Sequence, residues 1–356
     1  MDPCVLPLGA DCSVQEDECV DRVRAVIACM RDAEHPAPKL VRMTPDEYFD
    51  QLEDPEPATP EEVRSSKQTV RAFTLLRLLP KDPPAGSGEV YLPSPYISYS
   101  WEKGELLIVA DGSDPEAELS GLLYTLILAD RDAEVGIAGL LSESGTLDGD
   151  RAIVALLAGE ATFYGDLASF RDAEYAELAE RVTWDEAQAY VRDKFADPEE
   201  PWYGALGAFQ YYYGAAAALR RYVDGGPGAV SDGYTDAATS TAFALAGSDD
   251  LDATFSGIDT ELPAPPEGFE YLLQDSFGPA VWHMSEIRMN GETSSQGAVE
   301  ALARGWIGDR MVVASEIDGD RVAAIWQLAT SDGMVAETKI VASDDEVRAL
   351  FEAAFE

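Results

Sequence analysis

The chain has 356 residues, 46% of them hydrophobic, so it is long enough for one large or two medium domains and too apolar for disorder throughout. Its 67 Asp and Glu residues against 25 Lys and Arg give a formal net charge of -42 at pH 7. Because such a charge repels phosphate groups, the composition argues against nucleic acid and anionic lipid as partners.

The N-terminal segment contains all four cysteines of the chain, Cys4, Cys12, Cys19 and Cys29. An even number in one short segment predicts two local disulfides and hence export; a zinc cluster is the alternative, but no CxxC pair occurs. Residues 14–34 have apolar side chains at helical spacing. Two cysteines ten residues apart on one helix are about 15 Å apart and cannot bond each other. Each of Cys19 and Cys29 must therefore pair with Cys4 or Cys12, and a chain that folds back along the helix favours the nested pairs Cys12–Cys19 and Cys4–Cys29.

The first residues, MDPCVLPLGADC, form no apolar signal stretch, so we expect that a leader was removed before this sequence begins. The expected location is extracellular, at the cell surface or periplasmic. No run approaches the roughly 18 apolar residues of a transmembrane helix. A lipid anchor removed from this chain is left open.

The next segment mixes strands and helices. Residues 37–43 predict a strand. Helices are predicted after Thr44 and over 59–79, because Thr44 and Thr59 are each followed three residues later by Glu, as in a capping box. Residues 96–111 alternate around a turn and predict a hairpin. A helix is expected over 115–133.

The middle of the chain is predicted to be helical, with a long helix from Asp148 and further helices at 184–195 and 203–224. The last of these is rich in alanine and aromatic residues, and Arg220 and Arg221 in its last turn suit the helix dipole. On this helix Tyr211, Tyr212 and Tyr213 are interpreted as core residues rather than an interface.

From about residue 265 the pattern changes to strands. The predicted strands are 270–278, 280–289, 309–318, 321–331 and 334–342. A helix is expected at 295–304, and Ser343 is expected to cap a final one. The fold class is α+β: a helical body with an N-terminal strand and hairpin, and a C-terminal antiparallel sheet covered by helices. The predicted units are 1–36, 37–262 and 263–356.

The acidic residues have two interpretations. One is a solvated surface that keeps a protein soluble in brine; the other is Ca²⁺ binding, because Ca²⁺ prefers carboxylate oxygens. The candidate loops are 111–118, 248–253 and 315–321. None has the ligand spacing of an EF-hand loop, so the calcium prediction is weak.

Three short motifs resemble a known family. They are LAGEAT (157–162), TSTAFAL (239–245) and ARGWIGDR (303–310). In these motifs the chain resembles secreted or lipid-anchored bacterial metallopeptidase-like proteins with the gluzincin zinc-peptidase fold. That family has a helix bearing HExxH and, about 30 residues later, a helix bearing EG[DE]A. The resemblance runs from about residue 37 to about residue 340.

The resemblance implies a position for each active-site residue. In active members two His one helical turn apart bind Zn²⁺, the Glu after the first His is the general base, and a Glu of the second motif completes the site. Here these positions fall on Tyr124, Leu128, Thr125 and Ala158, and only the companion Glu160 remains. The resemblance therefore implies a helical zincin-like body without metal, cofactor or catalytic residues. Tyr124, Leu128 and Ala158 are interpreted as packing residues, and Glu160 as the partner of an N–H group or an arginine.

The first hypothesis for function is therefore a non-catalytic secreted pseudopeptidase-like protein that binds a protein partner, acts as a scaffold or self-assembles. The alternatives are an active hydrolase with a non-standard carboxylate or metal site, and a Ca²⁺- or salt-stabilised extracellular module. A Ser-His-Asp triad would need His35 or His283, the only histidines. His283 is interpreted as a core or surface histidine on a strand, and Trp306 and Asp309 as residues that fix a turn and a helix end.

Overall fold

The computed structural model describes residues 12–51, 58–81, 96–109, 114–169, 189–234, 240–246, 258, 260–290, 296–329 and 334–355. The helices are α1 (Asp17–Arg31), α2 (Pro45–Gln51), α3 (Pro60–Leu75), α4 (Pro115–Val135), α5 (Ile137–Ser144), α6 (Leu147–Ser169), α7 (Trp202–Asp232), α8 (Ala242–Ala246), α9 (Gly278–Asn290), α10 (Gln296–Gly305) and α11 (Asp345–Phe355). The strands are β1 (Lys39–Met43), β2 (Tyr96–Ser100), β3 (Glu105–Val109), β4 (Phe269–Asp275), β5 (Asp309–Glu316), β6 (Val322–Ala329) and β7 (Val335–Ala342). Residues 189–196 are also helical. The predicted α+β class is confirmed.

The N-terminal segment is a disulfide loop followed by α1. Cys12 bonds Cys19, as predicted, with Cα atoms 5.1 Å apart. Cys29 is also disulfide-bonded, while Cys4 lies outside the described residues. The apolar face of α1, with Val23 and Ile27 buried, packs against the helical body.

A three-stranded mixed sheet follows, in the order β1-β3-β2, with β1 parallel and β2 antiparallel to β3. The predicted strand and hairpin are therefore confirmed. Both predicted capping boxes are present: the side chain of Glu47 accepts the backbone N–H of Thr44 at 2.8 Å, and Glu62 does the same for Thr59 at 2.7 Å. These local bonds fix where α2 and α3 begin.

The helical body is built around α4, α6 and α7. Helices α6 and α7 touch at Gly159 and Gly214, where a Cβ on Gly159 would overlap the backbone of Gly214. The predicted helix end near 224 corresponds to a kink in α7 at Gly226, which has φ 68°, followed by Pro227. Beyond the kink a second segment continues to Asp232, so the helix is longer than predicted.

The C-terminal sheet is antiparallel, in the order β4-β5-β6-β7. Successive residues of β5 face two hydrophobic clusters: Met311 and Val313 pack with the helical body, while Val312 and Ala314 pack with α11. The cluster that contains Met311 includes residues on both sides of segment 263–268. The division into the units 1–36, 37–262 and 263–356 stays a prediction.

Two predictions in this region are wrong. Residues 280–289 form most of α9, not a strand. Residues 278–285 are all buried, so the polar positions that would reveal the helical period are missing. The last helix is capped by Asp344, whose carboxylate accepts the backbone N–H of Val347 at 2.9 Å, and not by Ser343. The hydroxyl of Ser343 instead accepts the backbone N–H of Val322.

None of the helices in the described part of the chain is both long enough and apolar enough to cross a membrane.

Candidate functional site

Helix α4 carries three of the four positions at which the resemblance implies that a zinc ligand or the general base has been lost. It begins after Asp114, whose side chain accepts the backbone N–H of Ala117 at 3.1 Å, with Pro115 in its first turn. The ring of Tyr124 lies 5.9 Å from that of Tyr211 on α7. Leu128 packs against two of the hydrophobic clusters. The side chains at both positions therefore pack against other residues, in line with the interpretation made from the sequence.

Thr125, at the position of the general base, is used as a structural hydroxyl. It is buried and donates to the carbonyl of Gly121 at 2.7 Å, one turn earlier, and lies 3.3 Å from the carbonyl of Ile97 on β2. Gly121 itself faces the side chain of Ile97. This side of α4 therefore packs against the edge strand β2.

On α6, Ala158 and Glu160 have different surroundings. Because these residues are two positions apart on a helix, their side chains project about 200° from each other. Ala158 is buried, and its carbonyl accepts the hydroxyl of Thr162 at 2.8 Å. Glu160 is 1% exposed and points toward α4. The side chain of Glu160 therefore links α6 to α4.

The partner of Glu160 is Arg131, which lies one turn after Leu128 on the same face of α4. Its Nε and one terminal nitrogen donate to the two carboxylate oxygens of Glu160, at 2.9 and 2.6 Å. The hydroxyl of Tyr234 donates to Glu160 at 2.8 Å, and the Arg131 guanidinium lies 4.5 Å from the centre of the Tyr234 ring. Glu160 therefore has the arginine partner that the sequence-based interpretation expects.

A second arginine enters from the disulfide-bonded N-terminal segment. Arg31, in the last turn of α1, has its Nε 3.3 Å from Glu160, donates to Glu134 at 2.7 Å and pairs with Asp130. Arg131 also donates to Glu134, at 2.7 Å. We call this set the Glu160 cluster; it consists of Arg31, Asp130, Arg131, Glu134, Glu160 and Tyr234.

Two members of the Glu160 cluster, Arg131 and Tyr234, have pKa values shifted by their surroundings. Burial disfavours the charge on Arg131, but the carboxylates of Glu160 and Glu134 outweigh it and keep the pKa of Arg131 above its ordinary value. Burial and the charge of Glu160 raise the pKa of Tyr234 well above its ordinary value, so its hydroxyl stays a donor. Removing one partner from such a buried pair costs about 3–5 kcal/mol.

These residues do not fit a zinc ion. Zinc in proteins takes Cys sulfur, His nitrogen or carboxylate oxygen. Tyr124, Leu128 and Ala158 supply none of these, and the carboxylate of Glu160 is already shared by two arginines. In the part of the chain that the structure describes, no group of three or more His, Cys, Asp or Glu side chains could hold a metal ion.

Two buried acids, Asp148 and Asp309, join the helical body to the C-terminal sheet. Asp309 accepts the two backbone N–H groups at the start of α9, at 3.0 and 3.1 Å, and the indole N–H of Trp326 at 2.7 Å. Asp148, at the start of α6, accepts the backbone N–H and hydroxyl of Thr241 at 2.9 and 2.7 Å. Burial and the charge of Asp309 raise the pKa of Asp148 to about 7, and burial raises that of Asp309. The prediction that Asp309 fixes a turn and a helix end is confirmed.

The remaining candidates of the sequence are mostly structural. His283 lies on α9, not on a strand; burial lowers its pKa to about 4, and its ring is 6.1 Å from that of Phe195. Trp306 is buried, 6.5 Å from the ring of Trp282. His35 lines a cavity between α1 and α4.

The aromatic residues of α7 divide between core and surface. Tyr213 is buried as predicted, but Tyr211 and Tyr212 are 45% and 42% exposed, so their assignment to the core is wrong. Tyr212 stacks on Tyr190, with ring centres 4.7 Å apart. The absence of charge in residues 203–219 suggested burial on all sides, whereas Tyr203, Tyr211 and Tyr212 are exposed.

Of the three candidate calcium loops, 315–321 is described in full and 111–118 in part. In 111–118, Asp114 caps α4. In 315–321, side chains of α3 donate to the loop carbonyls: Arg64 to Ile317 at 2.5 Å, and Gln68 to Gly319 at 3.1 Å. These carbonyls are thus already hydrogen-bonded to the protein. The loop 248–253 lies outside the described residues.

Sequence reasoning missed Arg31, Arg131 and Tyr234. A signal was present, because the chain has only 25 basic residues and one of them, Arg131, lies on the same helical face as Tyr124 and Leu128. An arginine on an apolar helix face of an acidic protein calls for a buried carboxylate partner.

No protein-family model, no curated protein and no solved structure matches this chain. The relationship to gluzincin-type proteins therefore rests on the three short motifs alone.

Proposed function

We propose that the protein is a non-catalytic binding or scaffolding protein whose helices α4 and α6 correspond to the two zinc-binding helices of a metallopeptidase. The observation that carries this proposal is the state of Glu160. The one acidic side chain left from the second motif is bound by two arginines and a tyrosine. A carboxylate in that position is not free to bind metal or to activate water.

The other positions support the same proposal. A metallopeptidase needs an open coordination position for water and substrate. Here Tyr124 fills the space toward α7, and Leu128 packs between two hydrophobic clusters. We infer that binding occurs through outer surfaces rather than through a cleft between these helices.

An exported, salt-exposed protein is the second part of the proposal. The disulfide Cys12–Cys19 supports it, because disulfides persist in oxidising compartments. The net charge of -42 supports it too, because salt screens the repulsion between surface carboxylates. The partner is a protein or a second copy of this chain.

Restoring the lost ligands tests the proposed relationship. The variant Tyr124→His, Leu128→His, Ala158→Glu supplies two imidazoles one helical turn apart and a carboxylate from the next helix. Its control, Tyr124→Asn, Leu128→Asn, Ala158→Gln, introduces polar groups of similar size that are poor zinc ligands. We expect zinc to raise the melting temperature of the first variant and not of the control.

A folded first variant that binds no zinc would show that the two helices do not correspond to those of a metallopeptidase. If neither variant folds, the wild-type protein still provides a test. It is assayed with casein and with a peptide library in the presence of zinc, and zinc-dependent cleavage by the wild-type protein would overturn the non-catalytic proposal.

A further inference from the structure

A cavity of about 450 Å³ lies between α1 and α4, next to the Glu160 cluster. This volume is within the range of small-molecule sites, which is about 300–1,000 Å³. Part of its wall is apolar: Ala25 and Ala28 come from α1, Leu126 from α4, and Pro36 and Pro38 from the segment that follows α1. The cavity can therefore accept a short hydrocarbon chain.

The charged residues of the wall are mainly acidic. Asp21, Glu34 and Asp130 line the cavity, together with the one guanidinium of its wall, that of Arg24, which donates to the backbone carbonyl of His35 at 2.9 Å and lies 3.9 Å from Asp21. Asp130 is paired with Arg31, which is not part of the wall, and its side chain is 16% exposed. Acidic side chains outnumber basic ones in this wall, which favours a positively charged ligand.

His35 lines the cavity, but its Nε2 does not open into it. This atom is buried, has no hydrogen-bond partner among the described residues, and lies 3.7 Å from the carboxylate of Glu134, which is not part of the wall. The polar contacts that the cavity offers a ligand are therefore those of the wall carboxylates. An ammonium group carries three N–H donors, which suits neighbouring carboxylates.

We propose that this cavity binds a primary ammonium group carried on an unbranched apolar stem. Such a group belongs to a free alkylamine or to a lysine side chain of a partner protein. The proposal deepens the binding function proposed above and rests on it. It is independent of the zinc experiment, because amine binding does not involve Tyr124, Leu128 or Ala158.

The test is titration calorimetry of the full chain in 0.15 M salt with hexylamine, and with 1-hexanol as the ligand that lacks the charge. A second arm uses the peptide acetyl-Ala-Lys-Ala-amide against acetyl-Ala-norleucine-Ala-amide. Two variants alter the cavity: Ala25→Trp fills it from an exposed position of α1, and Glu34→Gln removes one wall charge. Glu352→Gln, on the exposed side of α11, is the control for loss of one surface charge.

We expect hexylamine to bind and 1-hexanol not to bind. Ala25→Trp should abolish binding, and Glu34→Gln should weaken it about three- to tenfold while Glu352→Gln leaves it unchanged. Binding of the lysine peptide as well would identify a protein partner as the source of the amine, and binding of hexylamine alone would identify a free amine.

Four results would overturn the proposal: no binding of any amine, equal binding of hexylamine and 1-hexanol, unaltered binding to Ala25→Trp, or equal weakening by Glu34→Gln and Glu352→Gln. The last would mean that the amine only responds to the overall charge of the surface. Failure to bind any amine would leave the zinc result untouched, so the two proposals can fail separately.

Discussion

Replacing Glu160 by glutamine should destabilise the protein severely. The substitution keeps the size of the side chain and removes its charge. Arg131, whose side chain is 1% exposed, would keep only Glu134 as a charged partner, and the Nε of Arg31 would lose the carboxylate 3.3 Å away. Breaking a buried pair by removing one partner costs about 3–5 kcal/mol. We expect a loss near the lower end, because the amide oxygen can still accept one hydrogen bond.

The assay is urea unfolding followed by circular dichroism in 1 M salt, where exposed ion pairs contribute little. Glu134→Gln is the matched control: it makes the same change in the same cluster, but the Glu134 side chain is 30% exposed, so a loss of about 1 kcal/mol or less is expected. The double variant Arg131→Met, Glu160→Leu should recover most of the lost stability. Equal effects of Glu160→Gln and Glu134→Gln would refute the reasoning.

Three further outcomes are expected. Gly159→Ala should lower the free energy of unfolding in urea by about 3 kcal/mol or more, because its Cβ meets the backbone of Gly214. Gly207→Ala, with open space around it, should raise the free energy of unfolding by about 0.5–1 kcal/mol. Similar effects of the two variants would disprove the close approach of α6 and α7. The pKa of Asp148 rises on folding from 3.8 to about 7, so its contribution to stability is full below pH 4 and is lost as the pH rises through 7. Melting temperatures measured over a pH series should show this loss in the wild-type protein and not in Asp148→Asn. The same dependence on pH in both proteins would contradict the argument. The melting temperature should rise between 0.01 M and 1 M salt, because the net charge of -42 repels itself over about 30 Å at the lower concentration; a constant value would reject the interpretation as an adaptation to brine.

The parts of the fold that the sequence predicted well are those with local signals. Helices α2 and α3 begin where Thr44 and Thr59 form capping boxes, and each box lies within four residues. The hairpin and the strands β5 to β7 follow from alternation and turns. The disulfide Cys12–Cys19 follows from helix geometry.

The parts that failed depend on distant residues. The start of α9 is fixed by Asp309, far along the chain, and burial on all sides hides the helical period of this segment. The Glu160 cluster brings together side chains of α1, α4 and α6. A single sequence indicates that Glu160 needs a cation, but only the fold selects Arg131 and Arg31 for it.

The central claim is that the two helices of the resemblance no longer form a metal site. It is tested most directly by elemental analysis of the wild-type protein, purified without chelators and equilibrated with a small excess of zinc before gel filtration. The account predicts no stoichiometric zinc, and no change in the amount when Glu160 is replaced by glutamine. One zinc per chain would contradict it, and loss of that zinc from a Glu160→Gln variant that circular dichroism shows to be folded would identify Glu160 as a metal ligand.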